Sequence, residues 1–320
     1  MSAQNPLDED DIIASLFAPL VSAAGADGLK DDAASLPGGP GDIVITCDAL
    51  AAGVHFFADD PPGAIAQKAV RVNLSDLAAK GAEPFGLLLA LALPKGTARA
   101  WAEDFAAGLS ADLARYGVSL LGGDTLRASP DGGVMVTVTA LGRTDEGATV
   151  RRRTARPGDA LVVTGTIGEG ALGLLARTGR LADNGALTAR YLLPEPPVAA
   201  WRAVRRFARA AMDVSDGLLP DAQKLGQAAG VCLTIDVARV PLPPVAHASR
   251  QTLETALTGG DDYQILAAVP PEDVAAYCEA LAAVGVVGTV IGAVDGGPPG
   301  VALTEGWAPV SLAGRRFSHF

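Results

Sequence analysis

The sequence predicts a two-domain protein of mixed α/β or α+β architecture, and three observations lead there. The chain has 320 residues, against roughly 150 for an average domain. Short apolar or β-branched runs alternate with helical patterns in both halves. Between the halves, over 142–159, Asp-Glu-Gly, three consecutive arginines and Ala-Arg-Pro-Gly-Asp break the apolar pattern. The expected domains are 1–148 and 149–320. Hydrophobic residues at 49% and charged ones at 19% supply a core for each.

The first half reads as follows. Residues 8–20 pattern as an amphipathic helix with acids in its first turn. Residues 42–47 (DIVITC) form a β-branched strand closed by Asp48. A helix over 61–82 opens at Pro61-Pro62 and stops at Gly81. Within it Ala69, Asn73, Asp76 and Lys80 recur at helical spacing, which puts three polar groups on one stripe. The continuous apolar run 85–93 (FGLLLALAL) is a strand buried on both faces or in a subunit interface. Residues 97–116 make the clearest helix, with Thr97 as cap, an apolar stripe of Ala98, Trp101, Phe105, Leu109 and Leu113, and Gly117 as stop. Residues 118–121 read as a strand ending in Gly122-Gly123-Asp124-Thr125, and 134–141 (VMVTVTAL) alternates as another strand.

Beyond the boundary, a strand at 160–164 feeds a glycine-rich loop, 165–170, and a helix to about 178. A helix follows Pro196-Pro197. The segment Asp213-Val214-Ser215-Asp216-Gly217 then leads into a helix ending at Gly230. A strand at 231–236, a helix at 246–257, the turn Gly259-Gly260-Asp261-Asp262-Tyr263, a strand at 263–269, a helix at 271–284 and a strand at 286–294 complete the alternation. Trp101 and Trp201 belong to helix cores. No internal repeat of 20–50 residues is present.

Composition narrows the partners. With 25 basic and 36 acidic residues the formal charge is −11, which argues against a nucleic-acid surface, since that needs a basic stripe, and against an anionic membrane patch. Apolar runs such as 87–93 fall well short of the ~18 residues of a bilayer span. The opening MSAQNPLDEDD lacks a signal-peptide pattern. The three cysteines, Cys47, Cys232 and Cys278, form no CxxC pair. A cytoplasmic protein without nucleic-acid or membrane partners is expected.

The informative feature is a set of aspartates in turn contexts: Asp31-Asp32, Asp48, Asp76, Asp124, Asp213, Asp216 and Asp261-Asp262. Any one Asp-Gly is ordinarily a turn. As a group they are expected at strand ends, which converge on one sheet edge where ligands bind. Gathered there without cations they would raise one another's pKa. Oxygen ligands without a His/Cys cluster favour Mg2+ over zinc or copper, and several Mg2+ ions suit phosphoryl transfer, which rests on positioning and charge neutralisation. Walker A, HRD, DFG, HExxH, GxSxG and EF-hand signatures are absent. The 165–170 loop is spaced GxxGxG and reads first as a structural turn, with phosphate approach as the alternative.

In order, KDDAA (30–34), TCDALAAGVHF (46–56), VNLSDLAAKGAEP (72–84), LGGDT (121–125), MDVSDGL (212–218) and TGGDDY (258–263) resemble the successive motifs of the thiamine-monophosphate kinase family. VNLSDLAAKGA marks the wider aminoimidazole-ribonucleotide synthetase-like superfamily; GVHF and the final RRFSHF (315–320) narrow it to the kinase. The resemblance implies a two-domain fold of that type. An N-terminal ATP/Mg-binding domain pairs its sheet across a homodimer, and a C-terminal α/β domain completes the ATP and substrate cleft. It implies transfer of the γ-phosphoryl group of ATP to thiamine monophosphate, without a phosphoenzyme. Other ATP-dependent synthetases of the superfamily, and a non-catalytic nucleotide-binding maturation protein, are the alternatives.

Carried over by motif, the Mg2+ ligands are Asp32, Thr46, the main chain of Cys47, Asp48, Asp76, Asp124, Asp213 and Asp216, with Asp76, Asp124 and Asp213 central to catalysis. Gly123, Asp124, Arg152 and Ser215 contact ATP; His55, Asp261 and Phe317 contact the thiamine phosphate. Read without the family, Asp76 would be a solvated helix face, His55 a core histidine, Arg152 part of a solvated linker and Phe317 tail packing. The family reading gives Phe317 a cation–π contact with the substrate and Arg152 a phosphate charge to neutralise. Two positions depart from the family pattern: Lys30 stands where Gly is usual, and Asp261 where Glu is usual.

Overall fold

Residues 13–22, 39–305 and 308–309 are described by the computed structural model. They divide into two units: the first runs to Leu77 and takes Pro84–Glu146, and the second takes Ala78–Glu83 and everything from Gly147 onward.

The first unit carries a four-stranded sheet, β1 (Asp42–Ala51), β2 (Glu83–Leu93), β3 (Ser119–Arg127) and β4 (Met135–Thr144), in the order β1-β4-β2-β3. β1 and β4 run antiparallel with Thr46 opposite Ala140. β2 and β3 run parallel, with α2 (Arg99–Tyr116) between them in sequence. α1 (Pro62–Ala79) and α2 are joined by a buried ion pair. Arg71 Nε donates to Asp112 Oδ2 at 2.7 Å and Gln67 Nε2 to Oδ1 at 2.9 Å. Because side chains alternate along a strand, Val136, Val138 and Ala140 are buried. The alternate β4 residues Leu141 and Arg143 pair with Ile45 and Ile43, which are 63% and 51% exposed. One face of this sheet is therefore covered, while the other presents apolar side chains.

Several boundaries differ from expectation. At the chain start, a π-helical turn (Ile13–Phe17) and a 3₁₀ turn (Ala18–Leu20) stand in the expected 8–20 helix. β1 continues through Asp48 to Ala51, since its ladder with β4 is unbroken. Thr97 does not cap α2; its hydroxyl donates to the Pro94 carbonyl at 2.8 Å, and Ala98 occupies the cap position without a side-chain bond. β3 does not stop at Leu121 but runs through Gly122-Gly123-Asp124-Thr125 in register with β2. Gly123 is required there, because a Cβ would fall 1.8 Å from the Leu89 carbonyl oxygen.

The second unit is built on a seven-stranded sheet: β5 (Ala160–Thr164), β6 (Ala210–Val214), β7 (Cys232–Asp236), β8 (Gln264–Val269), β9 (Gly288–Asp295), β10 (Gly300–Glu305) and β11 (Ala308–Pro309). Its order is β11-β10-β7-β9-β5-β8-β6. Only β7 and β10 pair in parallel. A sheet so largely antiparallel sends neighbouring strand ends to opposite edges, so the expectation that strand ends converge on one edge is corrected.

Both faces of this sheet are covered. Leu161, Val163, Leu266 and Ala268 pack with Leu218, Ala222 and Leu225 of α6 (Leu218–Ala229). The alternate residues Val162, Ile265, Ala267 and Val269 pack with Val204 of α5 (Trp201–Phe207) and with Tyr277 and Leu281 of α8 (Val274–Ala282). Ala78 and Ala79, the last residues of α1, belong to this second core. The expectation missed β10 and the short α4 (Ala186–Leu192), which follows α3 (Glu169–Arg177). α7 (Arg250–Thr258) opens with a Ser249–Thr252 capping box. No helix among the described residues is long and apolar enough to cross a membrane.

Candidate functional site

In the first unit, strand alternation turns Thr46 and Asp48 toward the helix-covered side of the sheet and Cys47 toward the other, where Thr139 Oγ1 donates to its sulfur at 3.3 Å. On that helix-covered side Thr46 Oγ1 donates to Asp76 Oδ2 at 2.6 Å, and the Asp48 amide donates to Asn73 Oδ1 at 3.0 Å. Asn73 is fully buried, and its Nδ2 donates to the Ala69 carbonyl one helical turn back, which fixes the amide with its oxygen toward the strand. Burial by surrounding atoms, then the Asp76 charge, push the Asp48 carboxyl up to about 6, although much of the residue is exposed. Thr46, Asp48 and Asp76 thus form one group, with Cys47 able to contribute only its main chain on that side. Sequence reasoning placed Asn73 on the stripe but gave it no role; its i+3 spacing to Asp76 was the available signal.

The other first-unit residues lie apart from this group in the sheet. Gly123 and Asp124 are exposed on β3, the edge strand opposite β1. His55 sits in the turn after β1, half-buried. Its Nδ1 accepts from the Ala51 amide at 3.0 Å, so the neutral ring carries its proton on Nε2. Lys68 Nζ, itself buried, donates to the His55 carbonyl at 3.2 Å. Asp32 and Phe317 lie outside the described residues.

In the second unit three segments meet around the end of β6. Asp213 is the buried penultimate residue of that strand. The amides of Ser215 and Asp216 both donate to Asp221 Oδ2 at 2.9 Å, so a buried carboxylate from α6 shapes the turn. Lys224, one turn further along α6, donates to Asp221 Oδ1 at 2.7 Å and also to Asp216 Oδ2. The 259–263 segment docks on this turn: the Asp261 amide donates to the Ser215 carbonyl at 2.9 Å and the Tyr263 amide to Val214 at 2.7 Å. Asp261 and Tyr263 both adopt left-handed backbone, with φ of 72° and 52°. Such strain at a non-glycine, bulky residue persists only where surrounding structure enforces it. The Tyr263 hydroxyl donates to Asp261 Oδ1 at 2.9 Å.

Asp262 points the other way. Buried, its carboxyl accepts from the amides of Gly168 (2.7 Å) and Gly170 (3.0 Å), pinning the glycine loop at the start of α3. Burial pushes this carboxyl up to about 8 against the pull of the two amides. Arg152 lies in a 3₁₀ turn (Arg152–Thr154) that packs on α6 and β6. Asp221, Lys224 and Tyr263 were not singled out from sequence as site residues, and Asp262, counted there among the gathered aspartates, instead pins the glycine loop. Only the Asp221–Lys224 spacing of three was legible there.

The donors fit Mg2+. The Thr46 hydroxyl and the Asp48 and Asp76 carboxylates are all hard oxygens, and the negative charge already crowding Asp48 favours a cation. Among the described residues no three His, Cys, Asp or Glu side chains close into a cage. An ion held there would complete its shell from other oxygens, as Mg2+ commonly does.

Comparison with known proteins places this architecture. Residues 30–144 match the model "AIR synthase related protein, N-terminal domain", and 156–303 match "AIR synthase related protein, C-terminal domain". Those two domains define the class. The thiamine-monophosphate kinase of Caulobacter vibrioides is 47% identical over 300 residues, covering 91% of this chain and 85% of that protein. The crystal structure of thiamine-monophosphate kinase from Stenotrophomonas maltophilia superposes with TM-score 0.80 at 33% identity, over 93% of this chain and 97% of that one. AaThiL complexed with AMPPCP and TMP superposes with TM-score 0.76 at 30% identity, covering 91% of each chain. The chain belongs to the thiamine-monophosphate kinase family, and it is a phosphotransferase.

Proposed function

We propose that this enzyme transfers the γ-phosphoryl group of ATP directly to the phosphate of thiamine monophosphate. What carries this reading is the family membership at 47% identity; the AaThiL complex, with AMPPCP and TMP bound, supports the pair of reactants. A phosphate oxygen of the acceptor forms the new bond to the γ-phosphorus as the bond to the β,γ-bridging oxygen breaks, and ADP leaves. The acceptor's second pKa, near 6 for such a monoester, leaves it largely ionised at neutral pH, so no general base is required. Mg2+, when bound, supplies neutralisation of phosphate charge.

The chain's own residues do the positioning. Thr46 orients the Asp76 carboxylate, and Asn73 holds the β1 backbone at Asp48, keeping two carboxylates together for a cation. Asp124 and Gly123 act on the nucleotide from β3. In the second unit, Asp213 and Asp216 are further Mg2+ ligands, as is Asp124 in the first, Ser215 and Arg152 contact ATP, and Asp261, braced by Tyr263, serves the acceptor together with His55 and Phe317. Asp32 completes the Mg2+ ligands. Incubating the purified protein with ATP, Mg2+ and thiamine monophosphate and looking for thiamine diphosphate tests the reading. Absence of that product from folded protein refutes it.

Asp48 adds a pH signature. Its carboxyl takes up a proton below about 6, and a bound cation must displace that proton. Mg2+ affinity measured by calorimetry is therefore expected to weaken as pH falls through about 6, with proton release accompanying binding. In Asp48→Asn this pH dependence should vanish; its persistence would remove Asp48 from the ligands.

We further propose a homodimer formed through the uncovered face of the first unit's sheet. Ile43, Ile45 and Met135 lie exposed on that face, and Leu88 is exposed between buried Leu87 and Leu89. Large apolar side chains exposed on an uncovered sheet face mark an interaction surface. Ile45→Asp is expected to yield a monomer in sedimentation velocity, whereas an unchanged sedimentation coefficient would exclude this face.

A further inference from the structure

Lys224 stands out because the proposed reaction gives it no task, yet it holds two carboxylates at the site. It projects from α6 and donates to Asp216, from the preceding turn, and to Asp221 at 2.7 Å. The two acids differ in kind. Asp221 is fully buried, and its second oxygen is committed to the amides of Ser215 and Asp216. Asp216 is about one-third exposed, and its side chain has no other partner among the described residues. Lys224 is itself about one-quarter exposed, so its ammonium can leave Asp216 for solvent or another anion without leaving its helix. Burial alone would lower its pKa, but hydrogen bonds and charge from both carboxylates outweigh it and hold the pKa above the ordinary lysine value, so the ammonium stays charged.

We propose that Lys224 is a tethered counter-ion that competes with a divalent cation for Asp216 and must release that carboxylate before a metal ion can take it. The two cannot share the same oxygen, because an ammonium in hydrogen-bond contact repels a metal ion at that position. With Lys224 in place the Asp216–Asp221 pair carries one net negative charge instead of two, and Asp216 is a poorer metal ligand in the absence of nucleotide. When anionic phosphates arrive, the released ammonium has a second anion to meet. The device raises the threshold for metal binding in the empty enzyme while keeping Asp216 ordered.

This inference rests on the assignment of Asp216 as a ligand, and the experiment separates the two. Full-length, nucleotide-free protein is titrated with Mn2+ alone, and free Mn2+ is followed by electron paramagnetic resonance. A charge-assisted hydrogen bond is worth about a factor of ten or more in a binding constant. Lys224→Met is therefore expected to bind one Mn2+ about tenfold more tightly than wild type. Lys224→Gln, which keeps a donor for Asp221 but no charge, should do the same and stands in if the methionine variant fails to fold. Lys224→Arg retains the cation and should resemble wild type. Adding Asp216→Asn to either neutral variant should abolish the gain. If Asp216→Asn weakens Mn2+ binding but neither neutral variant tightens it, competition by Lys224 is refuted and the ligand assignment survives. If Asp216→Asn changes nothing in any background, the ligand assignment fails and the inference falls with it.

Discussion

Asp76→Asn is expected to lower kcat by about 10²- to 10³-fold, in the range seen when one preorganised electrostatic group is removed from an active site. The substitution is close to isosteric, and an asparagine oxygen can still accept the Thr46 hydroxyl that now donates to Asp76 at 2.6 Å. The strand-to-helix link therefore survives, and thermal unfolding should shift little. What disappears is a formal charge. Beside Asp48, that charge helps raise the neighbouring carboxyl to about 6, so the variant should also show Asp48 titrating closer to the ordinary range, as read by carboxyl chemical shifts. Wild-type turnover in folded Asp76→Asn would take Asp76 out of the chemistry. A large loss of stability would instead make it a structural residue.

Asp262→Ala should strongly destabilise the second unit's site. It leaves the amides of Gly168 and Gly170 without acceptors in a buried setting, and each such loss costs about 1–3 kcal/mol, so a total of about 3 kcal/mol is expected by urea denaturation. The pH dependence is a second readout. In the unfolded chain this carboxyl titrates near 3.8, and in the native state near 8. Between those values the native state binds the extra proton, so the contribution of Asp262 favours folding most below about pH 4 and is lost as pH rises through about 8. Wild-type stability should accordingly fall more steeply than that of Asp262→Ala between about pH 5 and pH 8. Parallel slopes would mean that Asp262 is ionised throughout.

How far the sequence could be read depended on whether a signal was local. Alternation along β1 separates Thr46 and Asp48 from Cys47, and helical spacing puts Asn73 and Asp76 on one stripe, so both halves of the first-unit group were legible. Their meeting spans 30 residues and was supplied by the motif resemblance. Gly122-Gly123 misled for a specific reason. Glycine marks a turn when it supplies unusual backbone angles, but at Gly123 it answers the crowding of two strands against the Leu89 carbonyl, and composition alone does not tell these apart. Lys224 escaped notice because its tie to Asp216 crosses a turn whose path is set by Asp221. The short α4 and the late β10 lacked the length or neighbours that make a periodic pattern visible. The idea that strand ends would gather the carboxylates failed because it presumes parallel strands, whereas the second unit's sheet is largely antiparallel and β1 runs antiparallel to β4.

The passage of α1 from one unit into the other has a consequence for how the polypeptide is made. Ala78 and Ala79 fill part of the second core, and Lys80 Nζ donates to the Ala211 carbonyl at 2.6 Å across 131 positions of sequence. During synthesis this short segment must wait for more than a hundred later residues before its partners exist, while 84–146 can already collapse with the rest of the first unit. Contacts so distant in sequence slow folding. Cutting the gene at the boundary near Gly147 would give a carboxy-terminal fragment missing a wedge of its own interior, so the second unit is not expected to fold as an independent piece after simple truncation.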